Sequence, residues 1–352
     1  MKCCANCFND QELTGFFISN STETGDCDFC STKNTDVLDP REFEEKFLQL
    51  VQVYEFVDEP IPDHIEPSIL HEKLQRQWGI FKEDLDESTC NLLLKSILTD
   101  LYEGDNPLFS TPVELKTVLF DIEEADVLEE EWDLFAKEIK SNNRYFLGKS
   151  IDLDLLKTLF QKHEKGYKPG KLFFRARISD QKGFDLNKMG KPPAENSVSG
   201  RANPVGIPYL YVSTNKKTVQ YESRATHLDF ITIAEFKLKE RLNVVQLRQI
   251  ENLSPFVHED FLEEYLKYQK YLKRLEIELS KPLRRHDQKL EYLPTQYLCE
   301  YVKSLGYDGI EYGSSLHDGG VNLAIFNDGK LEGKNVEVHE VVSVDLETEI
   351  VN

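Results

Sequence analysis

Several residues able to act on a nucleotide recur through the second half of this chain. Phe174-Arg175-Ala176-Arg177 comes first, then Ser199-Gly200-Arg201-Ala202-Asn203-Pro204, Tyr211 and Glu222-Ser223-Arg224. Tyr312-Gly313-Ser314-Ser315 and Asn322 follow. A guanidinium can hold a diphosphate through paired hydrogen bonds. A carboxylate beside a sugar can stabilise the oxocarbenium-like centre that forms when a glycosidic bond breaks. Together these residues point to binding a dinucleotide and cleaving its glycosidic bond. None is informative alone. An arginine at a strand end usually makes a surface ion pair, a strand tyrosine usually packs in the core, and a serine in a turn usually just makes the turn.

Residues so far apart can meet only if regular elements carry them to one place. From Lys171 onward, short β-rich runs alternate with helical ones. Strands are expected at 172–178, 207–212, 230–238, 244–247, 307–312, 321–326 and 336–346, with helices at 214–224, 259–279 and 295–305. The pattern is mixed α+β rather than a regular βαβ repeat. There is no Gly-x-Gly-x-x-Gly turn and no P-loop, so Rossmann and Walker sites are excluded.

The net charge of -21 is unevenly spread. Residues 1–140 carry about -22 and residues 141–250 about +10. The acidic front would be repelled by phosphate, so non-specific nucleic-acid binding is not expected. The basic stretch still allows a pocket for a phosphorylated small molecule. No run of about eighteen apolar residues predicts a membrane span, and Met1-Lys2-Cys3-Cys4 starts no signal peptide. The expected location is cytoplasmic.

Cys4-x2-Cys7 and Cys27-x2-Cys30 are separated by nineteen residues. Each pair can grip one metal from a tight turn, so Cys4, Cys7, Cys27 and Cys30 are the expected ligands of a structural zinc in a zinc-ribbon-like module. Cys3 is an alternative to Cys4, and Phe16-Phe17-Ile18 is expected as a small strand beside the metal. The stretch that follows, with apolar residues at helical spacing and Asp152–His163 as its last helix, reads as an acidic α-helical accessory domain. The expected domains are therefore 1–36, 37–166 and 167–352.

The ordered motifs of the last domain resemble the RES domain family, named for its Arg, Glu and Ser. They are Phe174-Arg175, Gly200-Arg201-x-Asn203-Pro204-x-Gly206, Tyr209-Leu210-Tyr211, Glu222, Tyr292-Leu293-Pro294-Thr295-Gln296, Gly306-Tyr307-Asp308-Gly309-Ile310, Ser314 and Asn322. The resemblance implies an ADP-ribosyltransferase-like fold, two small curved sheets with a cleft for NAD, and NAD degradation as the activity. With it, Arg175, Tyr211, Glu222 and Ser314 become the expected catalytic residues, and Arg201, Asn203, Ser315 and Asn322 the expected binding residues. The implied reaction cleaves the nicotinamide–ribose bond, as a glycohydrolase or phosphorylase. An ADP-ribosyltransferase acting on a macromolecule and a non-catalytic zinc-containing interaction module are the alternatives. The implied setting is a bacterial toxin or defence effector with an antitoxin or immunity protein as partner. The long charged helical stretch 251–289 is an addition to the family pattern, and a lid, a homodimer contact or a dock for the front half is expected of it.

Overall fold

The computed structural model describes residues 1–57, 66, 68–102, 106–119, 124–250, 254–257, 262–282 and 289–345. Of the 251–289 stretch, residues 251–253, 258–261 and 283–288 lie outside the described residues. The chain groups into two units, Met1–Ala125 with Glu251–Lys270, and Asp126–Ile250 with Tyr271–Asn352.

The first unit starts with the cysteine turn and a helix over Gln11–Asn20. Phe16, Phe17 and Ile18 lie in that helix, not in a strand. The reason is local. Asp10 caps it, its Oδ1 accepting from the Glu12 and Leu13 N–H groups at 2.9 and 3.0 Å. Leu13 and Phe17, one turn apart, are then buried together while Ile18 stays exposed. Phe17 and Phe16 pack on Phe43, with Phe16 5.1 Å away between ring centres. Helices Glu44–Val51, Leu70–Trp78 and Glu87–Ile97 fulfil the helical expectation, and the strands of a two-stranded sheet, Tyr54–Phe56 and Val113–Leu115, bracket the last two in sequence.

The second unit is mixed α+β. Its strands are β1 (Glu164–Tyr167), β2 (Leu172–Ser179), β3 (Leu210–Ser213), β4 (Phe230–Leu238), β5 (Leu242–Leu247), β6 (Gly309–Gly313), β7 (Val321–Ile325) and β8 (Leu331–Glu340). They form one sheet in the order β8-β4-β2-β3-β7-β6-β5-β1. Only β5 and β6 run parallel. Helices α1 (Glu124–Ser141, in this unit from Asp126), α2 (Leu153–Lys162), α3 (Lys216–Glu222), α4 (Leu262–Ser280, in this unit from Tyr271) and α5 (Leu293–Ser304) accompany it. Helices α1 and α2 group with this sheet. Phe135 packs on Tyr297 at 5.1 Å, and the Tyr301 hydroxyl donates to the Leu153 carbonyl at 2.6 Å.

The sheet has a seam. β2 pairs with β4 over eight residues but with β3 at one position only, Phe174 opposite Ser213. Three strands therefore stand on one side of that joint and five on the other. One face is sealed by Phe173, Met189, Leu210, Val212, Ala234, Phe236, Leu323 and Ile325. Across from it, α3 places Val219 on Ile231 and Ile233, with Phe174 and Ala176 alongside. Burial of such side chains contributes roughly 1.5–3 kcal/mol each, and it holds both halves of the sheet even where the ladder stops.

Candidate active site

A cleft of about 330 Å³ opens where β2 and β3 part. Arg175 and Ala176 line it from β2, and Tyr211 and Val212 from β3. Glu222, Ser223 and Arg224 enter from the end of α3, Tyr312 and Asn322 from β6 and β7, and Arg201 and Tyr292 from the connecting segments. The chain can supply these groups because a one-residue joint leaves the two strands free to diverge just beyond Phe174.

Glu222 is fixed through one carboxylate oxygen. Its Oε1 accepts from the Ser314 hydroxyl at 2.6 Å and from Asn322 Nδ2 at 2.7 Å. No other side-chain hydrogen bond reaches the Glu222 carboxylate among the described residues, and Oε2 faces none of them as an acceptor. Ser314 is itself fixed. Its Oγ accepts from the Leu316 and His317 N–H groups at 3.2 Å, and its own N–H donates to Gly320 O at 2.9 Å. Gly320 has to be glycine, since a Cβ there would stand 2.9 Å from the Ser314 Cβ and 2.8 Å from the His317 carbonyl. Asn322 is placed by its pairing with Ser213 and Tyr312.

The cations arrive singly. Arg175 donates to the Gly190 carbonyl at 3.0 Å. Burial, then the neighbouring charge of Arg177, pushes its pKa down to about 10, still cationic near neutrality. Arg201 donates to Leu279 O near the end of α4 at 2.7 Å and lies over the Tyr312 ring. Arg224 has a left-handed backbone, φ 51°. These guanidiniums make the cleft a receptor for an anion.

Tyr211 is held by the loop that carries the glycine motif. Its hydroxyl donates to Asn203 Oδ1 at 2.8 Å and accepts from the Ala202 N–H at 3.1 Å. The Asn203 amide nitrogen is spent on Ser197 Oγ, Val198 O and Pro204 O, at 3.3, 3.0 and 3.0 Å. Gly200 is the close-approach position, because a Cβ would meet Asn203 Oδ1 at 2.5 Å and the Tyr211 hydroxyl at 2.8 Å. Gln296 donates to Ser199 Oγ and Gly200 O at 2.8 and 2.7 Å, and the Thr295 hydroxyl donates to Arg201 O at 2.7 Å. The Thr295-Gln296 motif therefore acts by pinning the loop.

Of the expected residues, Arg175, Arg201, Tyr211, Glu222 and Asn322 line the cleft, and Ser314 joins it through Glu222. Asn203 lies behind the wall, buried. Ser315 is exposed and does not line the cleft. Arg177 turns away, donating to Lys188 O at 2.7 Å and stacking on Phe184. Tyr292 and Tyr312 also line the cleft. Both lie within the motifs of the sequence, which assign them no role.

Residues 173–347 match the family model of the RES domain. That stretch is a RES domain. Among solved structures it is similar to a chain of the M. tuberculosis MbcT–MbcA toxin–antitoxin complex, at 12% identity and a TM-score of 0.32, over 53% of this chain and 91% of that one. Comparison with curated proteins gives no match.

Ahead of the RES domain, Cys4, Cys7, Cys27 and Cys30 gather with all four Sγ atoms within 4.8 Å of one another. Cys4 and Cys30 Sγ are 3.3 Å apart, and Cys7 and Cys27 Sγ 3.4 Å. Thiolates bound at about 2.3 Å around a tetrahedral ion would stand about 3.8 Å apart, so the donor set fits a four-sulfur metal centre. Cys3 is outside it, its thiol directed to Leu38 O at 3.7 Å. Among the described residues, no helix is long and apolar enough to cross a membrane.

Proposed function

We propose that the RES-domain cleft binds NAD and cleaves its nicotinamide–ribose bond, with water or phosphate as acceptor. The observation that carries this reading is the Glu222 carboxylate, fixed through one oxygen by Ser314 and Asn322 in a cleft that also holds three guanidiniums. In the reaction, the C1′–N bond breaks and its electron pair leaves on the nicotinamide nitrogen. The ribosyl cation is stabilised by Glu222 Oε2 on the ribose side of the substrate. An acceptor oxygen then bonds to C1′ and a proton is released. Arg175 and Arg201 hold the diphosphate, and binding there places the scissile bond against the carboxylate. The resemblance to RES proteins, with NAD degradation as its implied activity, supports the same assignment.

An enzyme that depletes NAD suits a toxin or defence effector, and an antitoxin or immunity protein is the partner such an activity calls for. The four cysteines hold one structural zinc in this reading, all four positions being filled by sulfur.

The test is incubation of the full chain with NAD, following nicotinamide by chromatography with and without phosphate. Glu222→Gln and Arg175→Ala serve as controls. Expected is nicotinamide release that both substitutions suppress. Intact NAD with the folded wild-type chain would overturn the reading. ADP-ribose left on a macromolecule would redirect it to a transferase.

A further inference from the structure

Three tyrosines line the cleft, and they are not equivalent. The Tyr211 hydroxyl is committed to Ala202 and Asn203, which fixes the ring as part of the wall. Tyr312 is 5% exposed and lies beneath the Arg201 guanidinium, 5.6 Å from its ring centre. Tyr292 differs from both. It is half-buried, and its hydroxyl takes no hydrogen bond among the described residues.

Its backbone is nevertheless tied to neighbouring elements. Tyr292 caps the start of α5, where Pro294 follows in the first turn. The Thr295 hydroxyl, which donates to Arg201 O, lies 3.0 Å from Tyr292 O as well. One side chain thus ties the Tyr292 turn to the segment that presents Arg201. An aromatic ring that lines the cleft, on a turn tied to the segment presenting Arg201, is a platform for a flat base.

We infer that Tyr292 is a substrate-contacting residue that stacks on a planar base of the dinucleotide, an inference that rests on the NAD reading above. The ring face does the binding, and the hydroxyl is dispensable. Either base of NAD offers the same chemistry, and the substrate used in the assay separates them.

The experiment measures kcat and KM on the full chain for Tyr292→Phe, Tyr292→Leu and Tyr292→Ala, with melting curves for each. With NAD, Tyr292→Phe keeps KM within about twofold, whereas Tyr292→Leu and Tyr292→Ala raise it roughly tenfold to a hundredfold, the worth of one base–aromatic stack. Tyr292→Leu keeps the apolar bulk, so a folded Leu variant with raised KM isolates the lost ring face. Repeating the series with nicotinamide mononucleotide, which lacks adenosine, assigns the base. A penalty that persists places Tyr292 on nicotinamide, and one that disappears places it on adenine. Unchanged KM for NAD in folded Tyr292→Leu or Tyr292→Ala overturns the inference while wild-type turnover upholds the NAD reading. Absence of wild-type turnover removes that reading, and this inference with it.

Discussion

The Ser314 hydroxyl donates to Glu222 Oε1 across 2.6 Å, joining two residues 92 positions apart in the chain. Because Ser314 Oγ also accepts from two backbone N–H groups, its hydrogen is directed at the carboxylate. Ser314 is thus placed as a donor to Glu222, and the proposed reaction uses it to aim the carboxylate. In the proposed reaction, Glu222→Gln removes the charge and lowers kcat by at least about a hundredfold, as loss of a transition-state electrostatic partner does. Ser314→Ala removes one hydrogen bond to a charged group, so its kcat falls by roughly ten- to a hundredfold with a smaller change in KM. Steady-state kinetics on both variants checks this. Full kcat in Ser314→Ala would contradict the aiming role.

Arg175 predicts a pH signature in binding. Burial and Arg177 hold its pKa down to about 10. The unbound Arg175 is therefore cationic below that pH and loses its charge above it. An anionic ligand favours the charged form, so its affinity is steady below about pH 10 and falls as the pH rises further. Arg175→Ala lacks that step. Calorimetry with ADP-ribose shows the ratio of wild-type to variant affinity shrinking above about pH 10. A ratio constant through pH 11 would mean that Arg175 is not an anion contact.

The cysteine cluster predicts a metal-linked stability. Four buried or half-buried sulfurs around one ion release the most free energy when all four are bound. The full chain therefore carries about one equivalent of zinc, and Cys27→Ser lowers both the metal content and the melting temperature. Elemental analysis and melting curves with and without a chelator measure it. Cys3→Ser should leave the metal content intact, since its thiol points to Leu38 O. A metal loss equal to that of Cys27→Ser would overturn the ligand set.

Strand periodicity was legible where strands are half-buried. β4 spans the expected residues 230–238, because its side chains alternate between two covered faces. β1 was not legible. Glu164-Lys165-Gly166-Tyr167 is a short polar edge strand with no apolar run, and it exists by pairing with β5. The Phe16–Ile18 run misled because three consecutive apolar residues carry no period, and the Asp10 cap decided for helix. For the cleft, the motifs named Arg175, Glu222 and Asn322, but they could not reveal that Ser314 and Asn322 converge on one carboxylate oxygen. That convergence depends on the β7 register and on Gly320, both of them long-range features.

The Tyr211–Asn203 bond separates a catalytic role from an architectural one. The hydroxyl is shared between Asn203 Oδ1 and the Ala202 N–H, so Tyr211→Phe leaves two loop groups without that partner. Such a loss costs about 1–3 kcal/mol where the groups stay buried, and Asn203 is 3% exposed. Gly200→Ala attacks the same bond from the other side, since its methyl would stand 2.5 Å from Asn203 Oδ1 and 2.8 Å from the Tyr211 hydroxyl. Each change alone therefore lowers stability, and the double variant loses less than the two losses added, because the bond can be broken only once. Denaturant unfolding of the four proteins measures the coupling. A loop role also predicts that Tyr211→Phe raises KM more than it lowers kcat, as the segment presenting Arg201 loosens. Strict additivity in stability, with a fall in kcat alone, would instead put the Tyr211 hydroxyl at the reacting bond.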